Sequence, residues 1–357
     1  MSAGTAAGQV SLRPVMDVVV CGAQVPYVTG GAELLMENLV AALGAAGHRA
    51  ELVRLPVAWE RERLFDAPTA WRLIPIDADL AICINFPSYY VRARRKVVWL
   101  AHQHRGAYDA ADADWSDFGA DDASLETQRL LTEWDNRALS EAESVFTISQ
   151  AVADRLARYN GLAGVALYHP PPLADELKAA STSAPPADLV FCPARMEANK
   201  RPELLVAGMA HAPLHLRAVA AGRGSRLAEM QALAVSVGVA DRVSFPGFVT
   251  DHDLVDLFAR ALAVVYAPLD EDYGYVTLQA FLTGTPVVTA ADSGGVLEWV
   301  EDGVSGLVTD GTPEGVGEAL ARLDADRAWA ARLGEEGRRR VTDLDWTHVV
   351  ATLTGRP

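Results

Sequence analysis

Short apolar runs alternate along the chain with longer stretches in which apolar residues recur at helical spacing. The first run, MDVVVC at residues 16–21, is followed by a glycine-bearing loop and an amphipathic segment at 32–46. Runs that are apolar throughout are typical of parallel strands covered by helices on both sides of a sheet. The opening segment therefore predicts a strand, a loop and a helix.

The same alternation continues in two blocks, which a Ser- and Pro-rich stretch, STSAPPA, separates. We therefore predict an α/β protein with two doubly wound parallel sheets. The predicted strands are 16–21, 49–55, 80–84, 96–101, 144–148 and 165–168 in the first sheet, and 189–192, 216–221, 243–245, 262–266 and 286–289 in the second. The predicted organisation is a flexible tail (1–15), a first domain (16–173), a linker (174–187), a second domain (188–340) and a C-terminal segment (341–357) whose helix crosses back to the first domain.

Composition and charge exclude several classes of function. The chain has 357 residues, enough for two domains of ordinary size. Its 31 Lys and Arg against 47 Asp and Glu give a net charge of −16, which repels nucleic acids and anionic lipid surfaces. No apolar run approaches the roughly 18 residues needed to span a bilayer. The three cysteines lie singly in apolar runs, as buried thiols of a reducing compartment do. We expect a cytoplasmic protein that binds no nucleic acid and has no strong association with membranes.

A candidate anion site lies in the segment from 270 to 295. Gly274 precedes a helix predicted at 276–282, and the N–H groups of Tyr275, Val276 and Thr277 are expected to be free at its start. Free amides and the positive end of the helix dipole favour a phosphate. We therefore expect this turn to bind a phosphate group.

Two basic residues follow the first strand of the second block. Arg195 and Lys200 are the first and last residues of RMEANK, directly after the strand at 189–192. Lysine occurs at only three positions in the chain, 96, 178 and 200. A compact ammonium charge suits a departing phosphate. The alternative interpretation is an exposed basic pair beside Arg201, before a helix.

These motifs resemble those of the retaining glycosyltransferases of family 4, glycosyl transferases group 1, which have the GT-B fold. The family signature is a glutamate, seven residues and a second glutamate, followed by Gly-x-Pro and a strand. This chain has Glu271, seven residues, Gln279 and then Gly-Thr-Pro at 284–286. The resemblance implies two Rossmann-like domains that face each other across a cleft and bind a nucleotide-diphosphate sugar as donor.

The resemblance also assigns roles to single residues. It implies that Arg195 and Lys200 hold the donor diphosphate. It places Glu271 on the sugar hydroxyls and Gln279 on the ribose, where an amide replaces the charged partner of the family. Further contacts with the nucleotide sugar are implied at Gly30 and Gly31, at Gly222, at Gly247, Phe248 and Val249 around the nucleobase, at Gly274, and at Gly294 and Gly295 with Glu298.

Two histidines follow the strand at 96–101, whose carboxyl end is expected to face the cleft. The resemblance places His102 against the donor sugar as a hydrogen-bond donor. A metal pair with His104 and a histidine buried in the core are the alternatives.

The loop at 108–122 contains six aspartates and no basic residue. We interpret it, with His104, Asp112 and Asp114, as a site for a cationic acceptor such as an amino sugar or aminocyclitol. A solvated acidic loop is the alternative. The basic residues at 92–96 would either contact an anionic acceptor or lie in water.

The expected function is therefore retaining transfer of a sugar from a UDP- or GDP-sugar to a soluble small-molecule or saccharide acceptor. We expect no metal, because the three Asp-x-Asp motifs do not directly follow a buried strand. No cofactor besides the donor is expected, since the first loop lacks the GxGxxG of dinucleotide-binding proteins. The alternatives are a nucleotide-sugar-binding accessory protein without turnover, or a GT-B-fold epimerase or phosphorylase.

Overall fold

The computed structural model describes residues 15–27, 30–111, 116–180 and 186–355. A six-stranded parallel sheet forms the first half, with the strand order β2-β1-β3-β4-β5-β6. Its strands are β1 (Asp17–Gln24), β2 (Arg49–Pro56), β3 (Leu80–Asn85), β4 (Lys96–His102), β5 (Ser144–Thr147) and β6 (Val165–Ala166). The helices are α1 (Gly31–Ala45), α2 (Asp66–Leu73), α3 (Asp122–Ser140) and α4 (Gln150–Asn160).

The second half is another six-stranded parallel sheet, with the order β12-β11-β10-β7-β8-β9. The chain enters it at a central strand, moves to one edge and then to the other, as in dinucleotide-binding folds. The strands are β7 (Leu189–Pro193), β8 (Arg217–Ala221), β9 (Val243–Gly247), β10 (Ala263–Val265), β11 (Val287–Ala290) and β12 (Gly306–Thr309). The helices are α5 (Ala174–Ala180), α6 (Pro202–Gly208), α7 (Leu227–Ser236), α8 (Asp251–Arg260), α9 (Tyr275–Leu282), α10 (Pro313–Ala325), α11 (Arg327–Val341) and α12 (Trp346–Thr354).

Burial of apolar residues accounts for the central elements. All six residues of β3 are buried, as expected for a strand covered by helices on both faces. The first turn of α1 is fixed by the Gly30 N–H, which donates to the Glu33 carboxylate at 2.9 Å. Leu35, Leu39 and Leu43 then recur every four residues and form the buried face of α1. The three cysteines are buried and unpaired.

The structure differs from the predicted elements at two places. The expected linker begins as a helix, α5, which packs against α8 and α9 of the second half. Its acidic first turn and apolar Leu177 suit a short packed helix, and residues 181–185 lie outside the described residues. The edge strand β12 was not predicted, because the four residues GLVT are too short a run to distinguish from a loop.

The last helix leaves the second half of the chain. Helix α12 packs against α1, and the ring of Trp346 lies 6.1 Å from that of Trp99 on β4. The guanidinium of Arg95 donates to the carbonyl oxygen of Gly355 at 3.1 Å. The chain therefore ties its two halves together after the second sheet is complete. Among the described residues, no helix combines the length and the apolar character that crossing a bilayer requires.

A buried carboxyl group joins α3 to the first sheet. Asp135 is fully buried and accepts hydrogen bonds from the hydroxyls of Tyr90 at 2.6 Å and Tyr108 at 2.7 Å. Burial raises the pKa of Asp135 to about 6, although the hydroxyl donors oppose the rise. The folded protein therefore binds this proton more tightly than the unfolded chain does. The contribution of Asp135 to stability is full below its unfolded pKa of about 4 and is lost as the pH rises through 6.

We predict that Asp135→Asn removes this pH dependence. Between pH 4 and pH 7 the free energy of unfolding of the wild type should fall by about 2 kcal/mol relative to the variant, for a pKa difference of about two units. Urea denaturation at several pH values measures the difference. Asp122→Asn, at the start of the same helix, is the control. Equal slopes for wild type and Asp135→Asn would contradict the prediction.

Candidate active site

A cavity of about 600 Å³ lies between the two halves of the chain. Loops that follow the carboxyl ends of β1, β4, β7 and β10 line it, which is where parallel α/β sheets bind ligands. The predicted site residues on its wall are Gly30, Gly31, His102 and His104 from the first half, and Arg195, Lys200, Glu271, Gly274, Tyr275 and Val276 from the second. The fold thus brings ten of the predicted positions to one cavity.

The start of α9 forms part of this wall. Gly274 precedes the helix with a φ of +84°, a conformation that glycine adopts without strain. A Cβ at this position would lie 2.9 Å from Cγ2 of Val296, so the turn also requires the absence of a side chain. The Thr277 N–H was expected to be free, but it donates to the Gly274 carbonyl oxygen at 2.9 Å because the first turn is tight. Of the three amides, those of Tyr275 and Val276 donate to no backbone acceptor among the described residues.

Lys200 and Glu271 pair directly with each other. The Tyr266 hydroxyl donates to the same carboxylate at 2.9 Å. Both charged side chains are largely buried, with exposed fractions of 14% and 18%. The cavity therefore contains one compensated ion pair, and an anionic ligand that attracts the ammonium would release the carboxylate for hydroxyl groups.

The two histidines have different environments. Nδ1 of His102 lies 2.9 Å from the Gln103 carbonyl oxygen and therefore carries the proton. His104 is buried, which lowers its pKa and keeps the imidazole neutral. Its Nε2 lies 3.3 Å from the Trp59 carbonyl oxygen, and its Nδ1 has no partner among the described residues. The ring packs against Trp59 and Phe86 at centroid distances of 5.5 and 5.4 Å. His104 is thus a neutral polar group in an aromatic part of the wall.

Several residues for which the resemblance implies a ligand contact instead contact the backbone of the protein. Gln279 is buried away from the cavity wall and donates to the Pro172 carbonyl oxygen at 3.2 Å. The Gly295 N–H donates to the Glu271 carbonyl oxygen at 2.7 Å. A Cβ at Gly294 would lie 2.7 Å from that same oxygen. The second glycine loop therefore holds the backbone of Glu271 and does not face the cavity.

The expected nucleobase loop is also outside the cavity wall. The Gly222 N–H donates to the Gly247 carbonyl oxygen at 2.8 Å, and this bond joins the loop after β8 to the last residue of β9. Phe248 is 74% exposed, and Val249 follows it. These residues form a surface edge of the second half of the chain. Asp112 and Asp114, predicted as acceptor contacts, lie outside the described residues.

Glu298 has a structural role that its sequence position did not indicate. Its carboxylate accepts hydrogen bonds from the Gln150 and Ala151 N–H groups at 3.0 and 2.7 Å, at the start of α4. The Tyr168 hydroxyl donates to it at 2.7 Å. A carboxylate from the second half thus caps a helix of the first half.

Two of the four basic residues at 92–96 are engaged with the protein. Lys96 is 3% exposed and donates to the carbonyl oxygens of Tyr89 and Ala138 at 3.0 and 2.8 Å. Arg95 pairs with the Glu143 carboxylate at 3.1 Å. Arg92 and Arg94 are exposed, as the alternative of residues in water predicts. None of the four lines the cavity, so the structure gives no support to a contact with an anionic acceptor.

A cluster of five charged residues beside the cavity was missed. Arg105 lies 2.6 Å from the Asp109 carboxylate and 2.9 Å from that of Asp270. Arg155 lies 2.5 Å from the Asp272 carboxylate and 3.2 Å from each of the other two. Burial alone would raise the pKa of Asp272, but the facing guanidiniums of Arg155 and Arg105 lower it below its usual value. Sequence separations of more than 100 residues within the cluster hid it from pattern analysis.

A buried histidine positions the start of α9. His169 lies on the connection between the two halves, and its Nε2 is 2.8 Å from the Tyr275 hydroxyl. Burial lowers the pKa of His169 to about 3, so the ring is neutral at physiological pH. Its ring stacks on Tyr273 at 4.3 Å. An isolated histidine after the last strand of the first sheet carried no signal of this contact.

One group of possible metal ligands occurs among the described residues, and it is not on the cavity wall. It consists of Asp188, His215 and Asp324. The guanidinium of Arg327 contacts both carboxylates, at 2.5 and 2.6 Å, and satisfies them without a metal ion. This group therefore carries no metal assignment.

The second half of the chain is similar in sequence to known glycosyltransferases. Residues 174–340 match the family model described as "Glycosyl transferases group 1". A D-inositol 3-phosphate glycosyltransferase from Xylanimonas cellulosilytica is 34% identical over 170 residues, which cover 46% of this chain and 40% of the relative. A GDP-mannose-dependent alpha-(1-6)-phosphatidylinositol monomannoside mannosyltransferase from Mycobacterium tuberculosis is 36% identical over 176 residues, 46% of either chain. The chain spans less than half the length of both relatives.

Solved structures are similar over nearly the whole chain. HepE from Anabaena, in complex with UDP and glucose, has a TM-score of 0.69 and 18% identity, with 95% of this chain and 98% of HepE covered. Sucrose-phosphate synthase from Thermosynechococcus elongatus has a TM-score of 0.70 and 20% identity, with 94% and 97% covered. The likeness confirms the predicted GT-B fold of two Rossmann-like sheets facing across a cleft.

The turn before α9 gives a stability test. We predict that Gly274→Ala lowers the free energy of unfolding by about 2 to 3 kcal/mol, because left-handed strain and a steric clash with Val296 add together. Gly303→Ala is the matched control, since its φ is +69° but its Cβ would meet no described atom within 4 Å. That control should lose only about 1 kcal/mol. Equal losses in urea denaturation would show that the clash with Val296 has no effect.

Proposed function

We propose that this protein is a retaining glycosyltransferase of family 4 that uses a UDP- or GDP-sugar as donor. The observation that carries the proposal is the cavity between two Rossmann-like sheets, in which Arg195, Lys200 and the start of α9 form one wall. Cations and free amides at one place are what a diphosphate requires. The match of residues 174–340 to the glycosyl transferases group 1 model supports the same interpretation.

In the proposed reaction the bond between the anomeric carbon and the diphosphate breaks. Arg195, Lys200 and the amides of Tyr275 and Val276 stabilise the negative charge that develops on the leaving group. The acceptor oxygen bonds to the anomeric carbon on the same face of the sugar, and its proton passes to a leaving phosphate oxygen. As the diphosphate draws Lys200, the Glu271 carboxylate becomes free to accept hydrogen bonds from the sugar hydroxyls.

His102 has a defined part in this proposal. Its Nδ1–H is used by the Gln103 carbonyl oxygen, so Nε2 is the ring nitrogen left for a sugar hydroxyl.

We also propose that transfer needs no divalent metal. The positive charge for the leaving group comes from Arg195, Lys200 and the helix dipole of α9. The second-half carboxylates on the cavity wall, Glu271 and Asp272, are paired with Lys200 and with Arg155. Three buried, unpaired thiols are compatible with the expected reducing cytoplasm.

The side of the cavity that the first half of the chain forms, here called the first wall, carries charges that favour a neutral or cationic acceptor. Among the described residues of this wall, Arg105 is the one arginine. Its positive charge is already balanced by three carboxylates. Glu33 and Asp117 line the same wall, and neither has a cationic partner among the described residues. The aromatic face of Trp59 offers a surface for the apolar side of a ring. The relatives named for D-inositol 3-phosphate have an anionic acceptor in their name, whereas this wall favours an acceptor without phosphate.

The charge on Lys200 provides the main test. We predict that Lys200→Ala lowers kcat/KM at least about 100-fold, or about 2.7 kcal/mol of transition-state stabilisation. Lys178→Ala, which removes an exposed lysine of α5, is the matched control and should leave activity unchanged. Release of UDP or GDP from candidate donors is the measurement, with the anomeric product identified by NMR and the assay repeated in EDTA. A loss of less than tenfold, an inverted product or abolition by EDTA would each contradict its part of the proposal.

The same assay separates the alternative functions. An accessory protein would bind donor without releasing nucleotide. An epimerase or phosphorylase would convert the donor without transferring its sugar to a hydroxyl acceptor.

Acceptors that differ only by a phosphate group test whether the negative charge of the first wall affects acceptor choice. We predict that an amino sugar or an unmodified cyclitol is used at least about tenfold better, by kcat/KM, than the same compound carrying a phosphate. Asp117→Asn should reduce the preference for the cationic compound, because it removes one negative charge from the wall. Asp77→Asn, at an exposed position in the first half of the chain, is the control. Better use of the phosphorylated compound would contradict the prediction.

A further inference from the structure

The charged cluster beside the cavity joins the two halves of the chain around Glu271. Arg105 follows β4 and Arg155 lies on α4, so both guanidiniums come from the first half. Asp270 and Asp272 come from the second half and are the two neighbours of Glu271 in sequence. Four contacts therefore cross the cleft and end on either side of one proposed active-site carboxylate.

The loop that carries Glu271 is not held by local forces alone. Asp270 has a φ of +45°, a left-handed conformation that costs a residue with a side chain about 1 to 2 kcal/mol. The second half supports this loop through backbone bonds, from the Asp270 N–H to the Asp292 carbonyl oxygen at 2.9 Å and from the Gly295 N–H to the Glu271 carbonyl oxygen at 2.7 Å. Nothing in these bonds fixes the side chains of the loop.

Lys200 and Tyr266 of the second half hold the Glu271 carboxylate, and the first half constrains the residues on either side of it. Arg105 donates to both the carbonyl oxygen and the carboxylate of Asp270, each at 2.9 Å. The Ser149 hydroxyl, at the start of α4, donates to the Asp272 carbonyl oxygen at 2.5 Å. Arg155 is 6% exposed and reaches the carboxylates of both Asp270 and Asp272. The carboxylates on each side of Glu271, and the carbonyl oxygens of Asp270 and Asp272, are therefore held by groups that reach them only when the two halves meet.

Stability alone is a weak reason for such a cluster. Two guanidiniums and three carboxylates lose much of their hydration here, and buried ion clusters often stabilise a protein no more than apolar residues of the same size would. Their directional bonds do specify one geometry. In this cluster that geometry belongs to the loop of Glu271.

We propose that Arg155 and Arg105 are positioning residues that hold Glu271 in its working orientation when the two halves are closed. This inference rests on the proposed function, in which Glu271 contacts the donor sugar. Opening of the cleft would break the contacts to Asp270 and Asp272 and release the loop. Closure and assembly of the active site are thereby one event, which restricts turnover to the closed, water-excluding state.

The test uses the full-length protein and the variant Arg155→Ala. We expect kcat to fall at least about tenfold while the dissociation constant of UDP or GDP changes less than about threefold, because the diphosphate groups are untouched. Guanidinium ion at millimolar concentration should restore part of the lost activity by filling the space of the missing side chain. Arg158→Ala, one turn further along α4 and exposed, is the matched control and should behave as the wild type.

A second measurement does not depend on activity. Without any ligand, hydrogen–deuterium exchange of the segment 269–276 should rise in Arg155→Ala, whereas exchange of α10 should not change. If Arg155→Ala does not fold, Asp270→Asn replaces it, because Asn tolerates a left-handed backbone and the position is 45% exposed. Asp270→Asn should also lower kcat and speed exchange of the same segment.

The outcomes separate this inference from the proposed function. Absence of nucleotide binding and turnover in the wild type would overturn the proposed function, and exchange would then decide whether the arginines hold the loop. Wild-type exchange at 269–276 in Arg155→Ala, or in Asp270→Asn where that variant replaces it, would overturn the positioning role. Unchanged kcat in an active enzyme would overturn it as well.

Discussion

Parallel strands place all their carboxyl ends at one edge of a sheet, and this protein sets two such edges against each other. The loops after β1 and β4 therefore face the loops after β7 and β10 across one cavity. Helix α12 strengthens this arrangement, because it packs on α1 after the second sheet has been completed. Every group to which we assign chemistry depends on that opposition.

Charge compensation is the second constraint on the cavity. Burying a single charge is costly, and at the cavity the buried charges are paired: Lys200 with Glu271, and Arg155 with Asp272. In such an ion pair each charge neutralises the other until a ligand replaces one of the two partners. The diphosphate of a nucleotide sugar is a suitable replacement for Glu271, and the sugar hydroxyls are suitable new partners for the released carboxylate.

Several residues predicted to contact the ligand instead form hydrogen bonds or close contacts with the protein's own backbone. The Thr277 N–H closes the first turn of α9, and Gln279 binds the connection between the two halves through Pro172. Gly294 and Gly295 bring their loop close to the Glu271 backbone. A motif shows which residues lie near a site. It does not distinguish a residue that touches the ligand from one that supports its neighbour.

The sequence by itself determined the two parallel sheets and the turn at Gly274, and its resemblance to a family motif indicated Arg195, Lys200 and Glu271 as site residues. Apolar periodicity and the ends of strands are local features that a single stretch of chain reveals. Only the tertiary structure decided which charges pair, because Arg105 and Asp270 are 165 residues apart and Arg155 and Asp272 are 117 apart. Their contact depends on how two separate sheets face each other, and no local pattern encodes that relation.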